Sequence, residues 1–319
     1  MEIENKPFVT IGVPVYNGGK FIISALESIK NQVYTNFDCH VVNNASTDQT
    51  EELVAEFVKK DSRFTLHNYK EFVGIAGSWN RTVQHISDKT KYFKVVQADD
   101  VIFPDSLESH VLLMEKYPDA GIASSFRMVD KSLEGHGLDY FKGNYRDGKE
   151  MLLKNLKKEA YITGTNTQHL YRVEHLKKLF CYPEIFIPED LHMDTRLAYE
   201  LFNISDLAFS FKIMSLSRRH AEAGTIVIAR KLNTLIHSEE VRLNRFKEFF
   251  PELTKDYAIV RRKYAFYLFM NYLMLNKKCI QWHKKNLKRK IKFSEYLAGI
   301  FWENIFVRKI THIRNKYFN

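Results

Sequence analysis

The 319-residue sequence predicts an α/β domain on a mostly parallel sheet flanked by helices, followed by a helical extension. Three observations carry that expectation. Short β-branched and aromatic runs alternate with segments of helical period through the first 220 residues. Polar and glycine-containing motifs sit where the apolar runs stop. The charge is uneven: residues 255–319 carry sixteen Lys and Arg against Asp256, Glu295 and Glu303, which leaves residues 1–254 at net −3 of the chain's +10.

In order, Phe8 to Val13 is a strand, ended in this reading by Pro14, which offers no ladder donor. Gly18-Gly19 turns the chain into a helix bearing Phe21, Ile22, Ala25, Leu26 and Ile29. Phe37 to Asn43 is a second strand. Asp48 and Glu51 have capping-box spacing for the helix with Leu53, Val54, Phe57 and Val58. Phe64 to His67 is the third strand, and a helix from about Ser78 to Ile86 follows Gly74 and Gly77. The run from Tyr92 then stops on Gln97-Ala98-Asp99-Asp100, with Pro104 placed to open the next helix. Further strands are expected at 121–126 and 209–216, with helices at 107–114 and 149–157. Strands alternating with helices at this rhythm imply parallel pairing through crossover helices.

Asp99 and Asp100 draw attention because two acids at the carboxyl end of a core strand are costly unless a cation meets them. That end of an open α/β sheet is where ligands bind. A hard divalent cation, Mn²⁺ or Mg²⁺, carrying a phosphate would satisfy both. The chain lacks a Gly-x-Gly-x-x-Gly after its first strand and a P-loop lysine, which argues against a dinucleotide fold or a P-loop.

Val13-Pro-Val-Tyr-Asn17, Asn43-Asn-Ala-Ser-Thr-Asp48, Gly74-Ile-Ala-Gly-Ser-Trp-Asn80 and Gln97-Ala-Asp-Asp100 together resemble a family 2 glycosyltransferase with the GT-A fold. The resemblance covers about residues 7–220. It implies a nucleotide-sugar donor, UDP- or dTDP-linked, with Pro14, Tyr16 and Asn17 lining the base pocket and Asn44 accepting from the base. Gly74 and Asn80 join the donor site through their motif. Asp99 matches the acid that contacts ribose or metal, and Asp100 the metal ligand. Gln97 stands where many members have the first acid of an Asp-x-Asp motif. In the second half, Asp190 of the Glu189-Asp190 pair, with Arg196 six residues on, matches the catalytic base that deprotonates the acceptor hydroxyl of an inverting transfer. Arg219 and His220 match a late basic segment, the first on the diphosphate and the second a metal ligand. Gly164 is either a turn glycine or a point where backbone approaches substrate. The other histidines show no ligand spacing and read as structural or solvated.

The expected domains are residues 1–224, with a nucleotide-sugar half to about 104 and an acceptor half from 105, and residues 225–319. The aromatic and basic character of the second predicts a surface that lies on anionic lipid or packs on the first domain. No signal peptide is evident, no stretch reaches the roughly 18–20 apolar residues that span a bilayer, and Cys39, Cys181 and Cys279 suggest a reducing compartment. These features predict a cytoplasmic protein, and the lipid-binding alternative for the tail would add a peripheral position at the inner face of the cell membrane. No nucleic-acid-binding module is recognisable, so nucleic acid is not an expected partner. The acceptor implied is a saccharide or lipid-linked saccharide of bacterial surface polysaccharide (O-antigen or capsule). Gln97 and Asn44 leave one alternative open: a catalytically silent nucleotide- or sugar-binding protein on the same fold.

Overall fold

The computed structural model describes residues 6–179, 181–186, 192–220, 234–257 and 261. The chain divides into two compact units, Met1–Arg219 and His220–Asn319.

In the first unit the strands β1 (Phe8–Val15), β2 (Phe37–Asn44), β3 (Phe64–Tyr69) and β4 (Thr90–Val95) alternate with helices α1 (Ile22–Lys30), α2 (Thr50–Val58) and α3 (Ile75–Val83). β5 (Val101–Ile102), α4 (Ser106–Lys116), β6 (Ala120–Val129), β7 (Ser132–Glu134) and β8 (Tyr145–Arg146) follow. Then come α5 (Gly148–Leu156), β9 (Leu170–Arg172), α6 (Val173–Lys177), α7 (Met193–Ile204) and β10 (Asp206–Ser217). One sheet runs in the order β3-β2-β1-β4-β9-β6-β10-β5, with β7 beside β6 and β8 beside β10. Its long ladders, β1 with β2 and β4, β2 with β3, and β6 with β10, are parallel. The antiparallel pairings belong to the short strands β5, β7, β8 and β9.

The two faces of β1 show how the layers arise. Val9, Ile11, Val13 and Val15 are buried in one cluster with Ile22, Leu26 and Ile29 of α1, Val54 and Phe57 of α2, and Leu107, Val111 and Met114 of α4. On the other face a side chain at Gly12 would meet Thr82 of α3, with an added Cβ only 2.4 Å from the Thr82 Cβ. Glycine is therefore what lets α3 lie this close to the central strand.

Several boundaries differ from the sequence expectation for physical reasons. Pro14 lies inside β1, paired with Val42. The Gly12 carbonyl accepts from Val96 N, so alternate residues of β1 face β4, and Pro14 comes after the last β4 pair at Gly12. Its missing donor therefore costs nothing there. Asp48 does not cap α2; its carboxylate accepts from Thr50 N at 3.0 Å and from Gly19 N at 3.0 Å, tying the first turn of the chain to the helix start. α3 starts earlier than Ser78, with Gly74 as its N-cap. Pro104 sits in a turn closed by Ser106 N and the Phe103 carbonyl, and α4 begins after it.

In the second unit a helix α8 (Thr234–Phe249) carries Phe246, whose ring meets those of Phe250 and Tyr257 at 5.9 and 6.2 Å. Residues 262–319, which hold most of the basic and aromatic tail, lie outside the described residues. Among the described residues no helix is long and apolar enough to cross a membrane.

Gly12→Ala should force Thr82 and α3 outward and cost about 1–3 kcal/mol of stability by overpacking. Urea unfolding would measure it. An unchanged midpoint would mean that the β1–α3 contact is not tight.

Candidate active site

Consecutive strands β1, β2 and β3 run one way across the sheet, whereas β4 pairs on the opposite side of β1. The chain direction therefore switches between β1 and β4, the position at which open α/β sheets bind ligands beyond the carboxyl ends. Tyr16 and Asn17 leave β1 there, and Gln97 to Asp100 leave β4.

The four motifs interlock at this edge. Asn17 takes a left-handed conformation (φ 50°), so its N–H donates to Ser46 Oγ at 2.9 Å and its side-chain oxygen accepts from Thr47 N at 2.8 Å. Gly18 N donates to Thr50 Oγ1 at 2.9 Å. Asn44 is buried, and its amide binds both sides of Val73: Nδ2 donates to the carbonyl at 2.6 Å and Oδ1 accepts from the N–H at 3.0 Å. The same oxygen also accepts from Arg81 Nη1 at 2.9 Å, so both of its lone pairs are engaged within the protein. Asn44 thus shapes the loop before α3. Tyr16 (50% exposed) and Phe72 (55%) meet with ring centroids 4.6 Å apart, leaving aromatic surface open beside the β1 end.

Asp100 is only 2% exposed, and its Oδ2 accepts from Ser217 Oγ at 3.1 Å. Burial, with the neighbouring Asp99 carboxylate second, pushes the Asp100 carboxyl up to about 7; the Thr167 and Ser217 hydroxyls and the Arg127 guanidinium pull the other way. The backbone around it is fixed from β4 and from the segment before β9. Gln97 N donates to Thr167 Oγ1 at 3.1 Å. Lys94, fully buried in β4, donates to the carbonyls of Thr167 at 2.7 Å and His169 at 2.9 Å, and burial pulls its ammonium down to about 7.

Of the two late arginines, Arg218 is the one at the acidic turn. Its Nη1 donates to the Asp99 carbonyl at 3.2 Å and to Ser24 Oγ at 2.8 Å. Arg219 instead donates to Asp130 from its backbone and to Glu134 Oε1 at 3.1 Å from its guanidinium. Glu134 also takes Arg127 Nη2 at 2.6 Å. An added Cβ at Gly164 would stand 2.5 Å from Arg127 Nη2, so this glycine makes room for a guanidinium. His220 begins the second unit.

Asn80 is buried and tied to the second half of the domain. Its amide exchanges two hydrogen bonds with the Phe186 backbone, at 2.8 and 2.9 Å. Residues 187–191, and with them Glu189 and Asp190, lie outside the described residues. α7 starts at Met193 with His192 as its N-cap, and Thr195 Oγ1 donates to the Thr163 carbonyl at 3.2 Å. Arg196 faces Glu200 at 3.8 Å.

A family profile described as "Glycosyl transferase family 2" matches residues 10–180, more than half of the chain and all four motifs. The chain belongs to glycosyl transferase family 2. An uncharacterized glycosyltransferase of Rickettsia prowazekii (strain Madrid E) is 27% identical over 256 residues, 80% of this chain and 75% of the relative. One from Haemophilus influenzae is 35% identical over 114 residues, 36% of this chain. Among solved structures, the fold matches S. aureus TarS 1-349 in complex with UDP-GlcNAc (TM-score 0.60, 15% identity, 92% of this chain and 79% of that one). It also matches the mannosyltransferase PcManGT from Pyrobaculum calidifontis in complex with GDP-Man and Mn²⁺ (TM-score 0.54, 17% identity, 93% and 87%). At these identities the two structures speak to the GT-A fold.

In this glycosyltransferase, sequence reasoning missed Ser217, Thr167, Arg127, Arg218 and Phe72. Ser217 and Arg218 belong to the late basic segment Ser217-Arg218-Arg219-His220 that the sequence singles out, so the segment is visible there and the contacts of these two side chains are not. The folded protein holds the Asp100 proton to a higher pH than the unfolded chain, whose Asp titrates near ~4. The metal-free fold therefore loses stability as pH rises from about 4 through about 7. Asp100→Asn should remove that loss: with chelator present, the variant should melt higher than wild type by a few degrees at pH 8 and no higher at pH 4. Parallel melting curves at both values would contradict the buried, proton-retaining carboxyl.

Proposed function

We propose that this glycosyltransferase moves a sugar from a UDP- or dTDP-linked donor to an acceptor hydroxyl, with inversion and with a divalent cation. The acceptor proposed is a saccharide or lipid-linked saccharide of bacterial surface polysaccharide. The observation that carries the reading is that an open aromatic pair, Tyr16 and Phe72, and the acidic turn Asp99-Asp100 belong to the same carboxyl edge of the sheet, at the β1/β4 switch.

A nucleotide base has a flat face for the aromatic pair, and a diphosphate needs positive charge. Asp100 and Asp99 are the residues that would hold Mn²⁺ or Mg²⁺, and the donor set fits: hard carboxylate oxygens, one of them buried against a serine hydroxyl and pushed up in pKa. A cation bound there would offset the charge that develops on the departing nucleoside diphosphate. Around it, Lys94 and Thr167 hold the backbone of the acidic turn in place, and Arg218 fixes the Asp99 carbonyl. Asn44 contributes by setting the loop that presents Phe72.

The base proposed is Asp190. Support comes from both flanks of its segment: Asn80 pins Phe186 on one side, and Thr195 reaches the Thr163 carbonyl on the other. Attack by the deprotonated hydroxyl on the anomeric carbon, opposite the leaving diphosphate, inverts that centre. Membership of a glycosyltransferase family favours this reading over a silent binding protein.

Asp190→Asn should reduce transfer by about 10²–10⁴-fold, as removal of a general base does. Nucleotide-sugar affinity should stay close to wild type, because the base faces the acceptor. Turnover beside calorimetric affinity checks both. Near-full turnover in Asp190→Asn, with loss in Asp194→Asn, would move the base to the first turn of α7.

A further inference from the structure

Three histidines far apart in sequence converge at a place the glycosyl-transfer site does not use. The alternation of β2 sends Phe37, Cys39 and Val41 into the core with α1 and α2, so Asp38 and His40 stand on the opposite face. On β3 the same rule puts Phe64 in the core and His67 on the face of His40. α3 covers that face, and His85 follows the helix after its last turn. Each of the three offers a ring nitrogen, and these nitrogens all lie within 4.8 Å of one another.

His40 Nδ1 and His67 Nε2 are 3.0 Å apart. Two imidazole nitrogens on one tetrahedral Zn²⁺, at about 2.0–2.1 Å each, stand about 3.3 Å apart, so this pair is close to a ligand separation. His40 Nε2, the nitrogen left over, lies 3.3 Å from Asp38 Oδ2 without a hydrogen bond between them, within reach of one if the ring turns slightly on binding an ion. A metal-bound histidine characteristically sends its second N–H to a carboxylate, which fixes the tautomer and raises ligand basicity. His85 stacks on His67 with centroids 3.7 Å apart, and its Nε2 is a buried polar atom without a hydrogen-bond partner. A buried donor or acceptor in that condition is a cost that a ligand bond would remove.

We propose that His40, His67 and His85, with Asp38 orienting His40, form a binding site for a borderline transition-metal ion of the Zn²⁺ class. Three neutral imidazoles select Zn²⁺, Cu²⁺ or Ni²⁺ over Mg²⁺ and Mn²⁺, which prefer oxygen. The site is therefore orthogonal in chemistry to the carboxylates at Asp99 and Asp100. Binding requires the His85 ring to turn out of its stack on His67, so that the lone pairs meet at one point. The bound ion would clamp β2, β3 and the end of α3 together.

The test uses the untagged full chain, stripped with chelator, and Co²⁺ as a visible probe. One equivalent of Co²⁺ should give the absorption of a nitrogen-ligated, four-coordinate ion, and Zn²⁺ should displace it. The band should persist in Asp100→Asn and disappear in His67→Gln and His85→Gln, with folding checked by circular dichroism. His85→Gln, beyond the helix end, serves if His67→Gln does not fold. Asp38→Asn should weaken the affinity about 10–100-fold. Absence of the band in folded wild type, its survival in both histidine variants, or its loss in Asp100→Asn would each overturn the site.

Discussion

A carboxylate buried at the end of a central strand is the constraint on which this structure turns. An unpaired charge there would cost several kcal/mol, so it either retains its proton or meets a partner. The surroundings of Asp100 offer hydroxyls from Ser217 and Thr167 and a more distant guanidinium from Arg127, which together leave its carboxyl pushed up rather than down. The fold thus presents an acid that its protein neighbours leave poorly satisfied in the ionised form, which is what the proposed cation would relieve. The same edge is shaped by neighbours that are themselves fixed: Lys94 beneath, Asn44 and Arg81 to one side, Arg218 to the other.

The β1/β4 switch explains why the motifs, spread over almost ninety residues, are one site. Parallel strands all end at the same edge, and the reversal of direction opens a crevice between two of them. Left-handed backbone at Asn17 and Ala45 turns the chain sharply at that edge, and the Asn17–Thr47 and Gly19–Asp48 hydrogen bonds lock the first two strand ends together. Function here depends on loops, but on loops held by the ladder below them.

Much of this was legible in the sequence. The long parallel strands leave continuous apolar runs because both of their faces are covered, and the polar motifs mark where the runs stop. β5 and β9 are only two and three residues long, too short to leave a period, and so the antiparallel insertions escaped notice. A missing donor usually marks a strand end, yet Pro14 lies beyond the last β4 pair, where the loss is harmless. Asn44 illustrates a limit of motif reasoning: the residue type suits a base, yet its amide is bound to Val73 and Arg81. Ser217 and Thr167 reach Asp100 from more than sixty residues away, a closeness that only the sheet order creates. The histidine cluster is hidden in the sequence for a related reason. Metal-ligand spacing is usually sought within one helix or loop, whereas His40, His67 and His85 meet by strand parity across three elements.

Hydrogen exchange of the full chain, with and without a nucleoside diphosphate and Mn²⁺, tests the location of the site most directly. Uridine diphosphate and thymidine diphosphate are the two ligands to use. Protection should be confined to peptides covering residues 15–19, 70–74 and 97–100, with none at the opposite edge of the sheet around residues 85–90. Protection at that opposite edge, or no protection with either nucleotide, would contradict it.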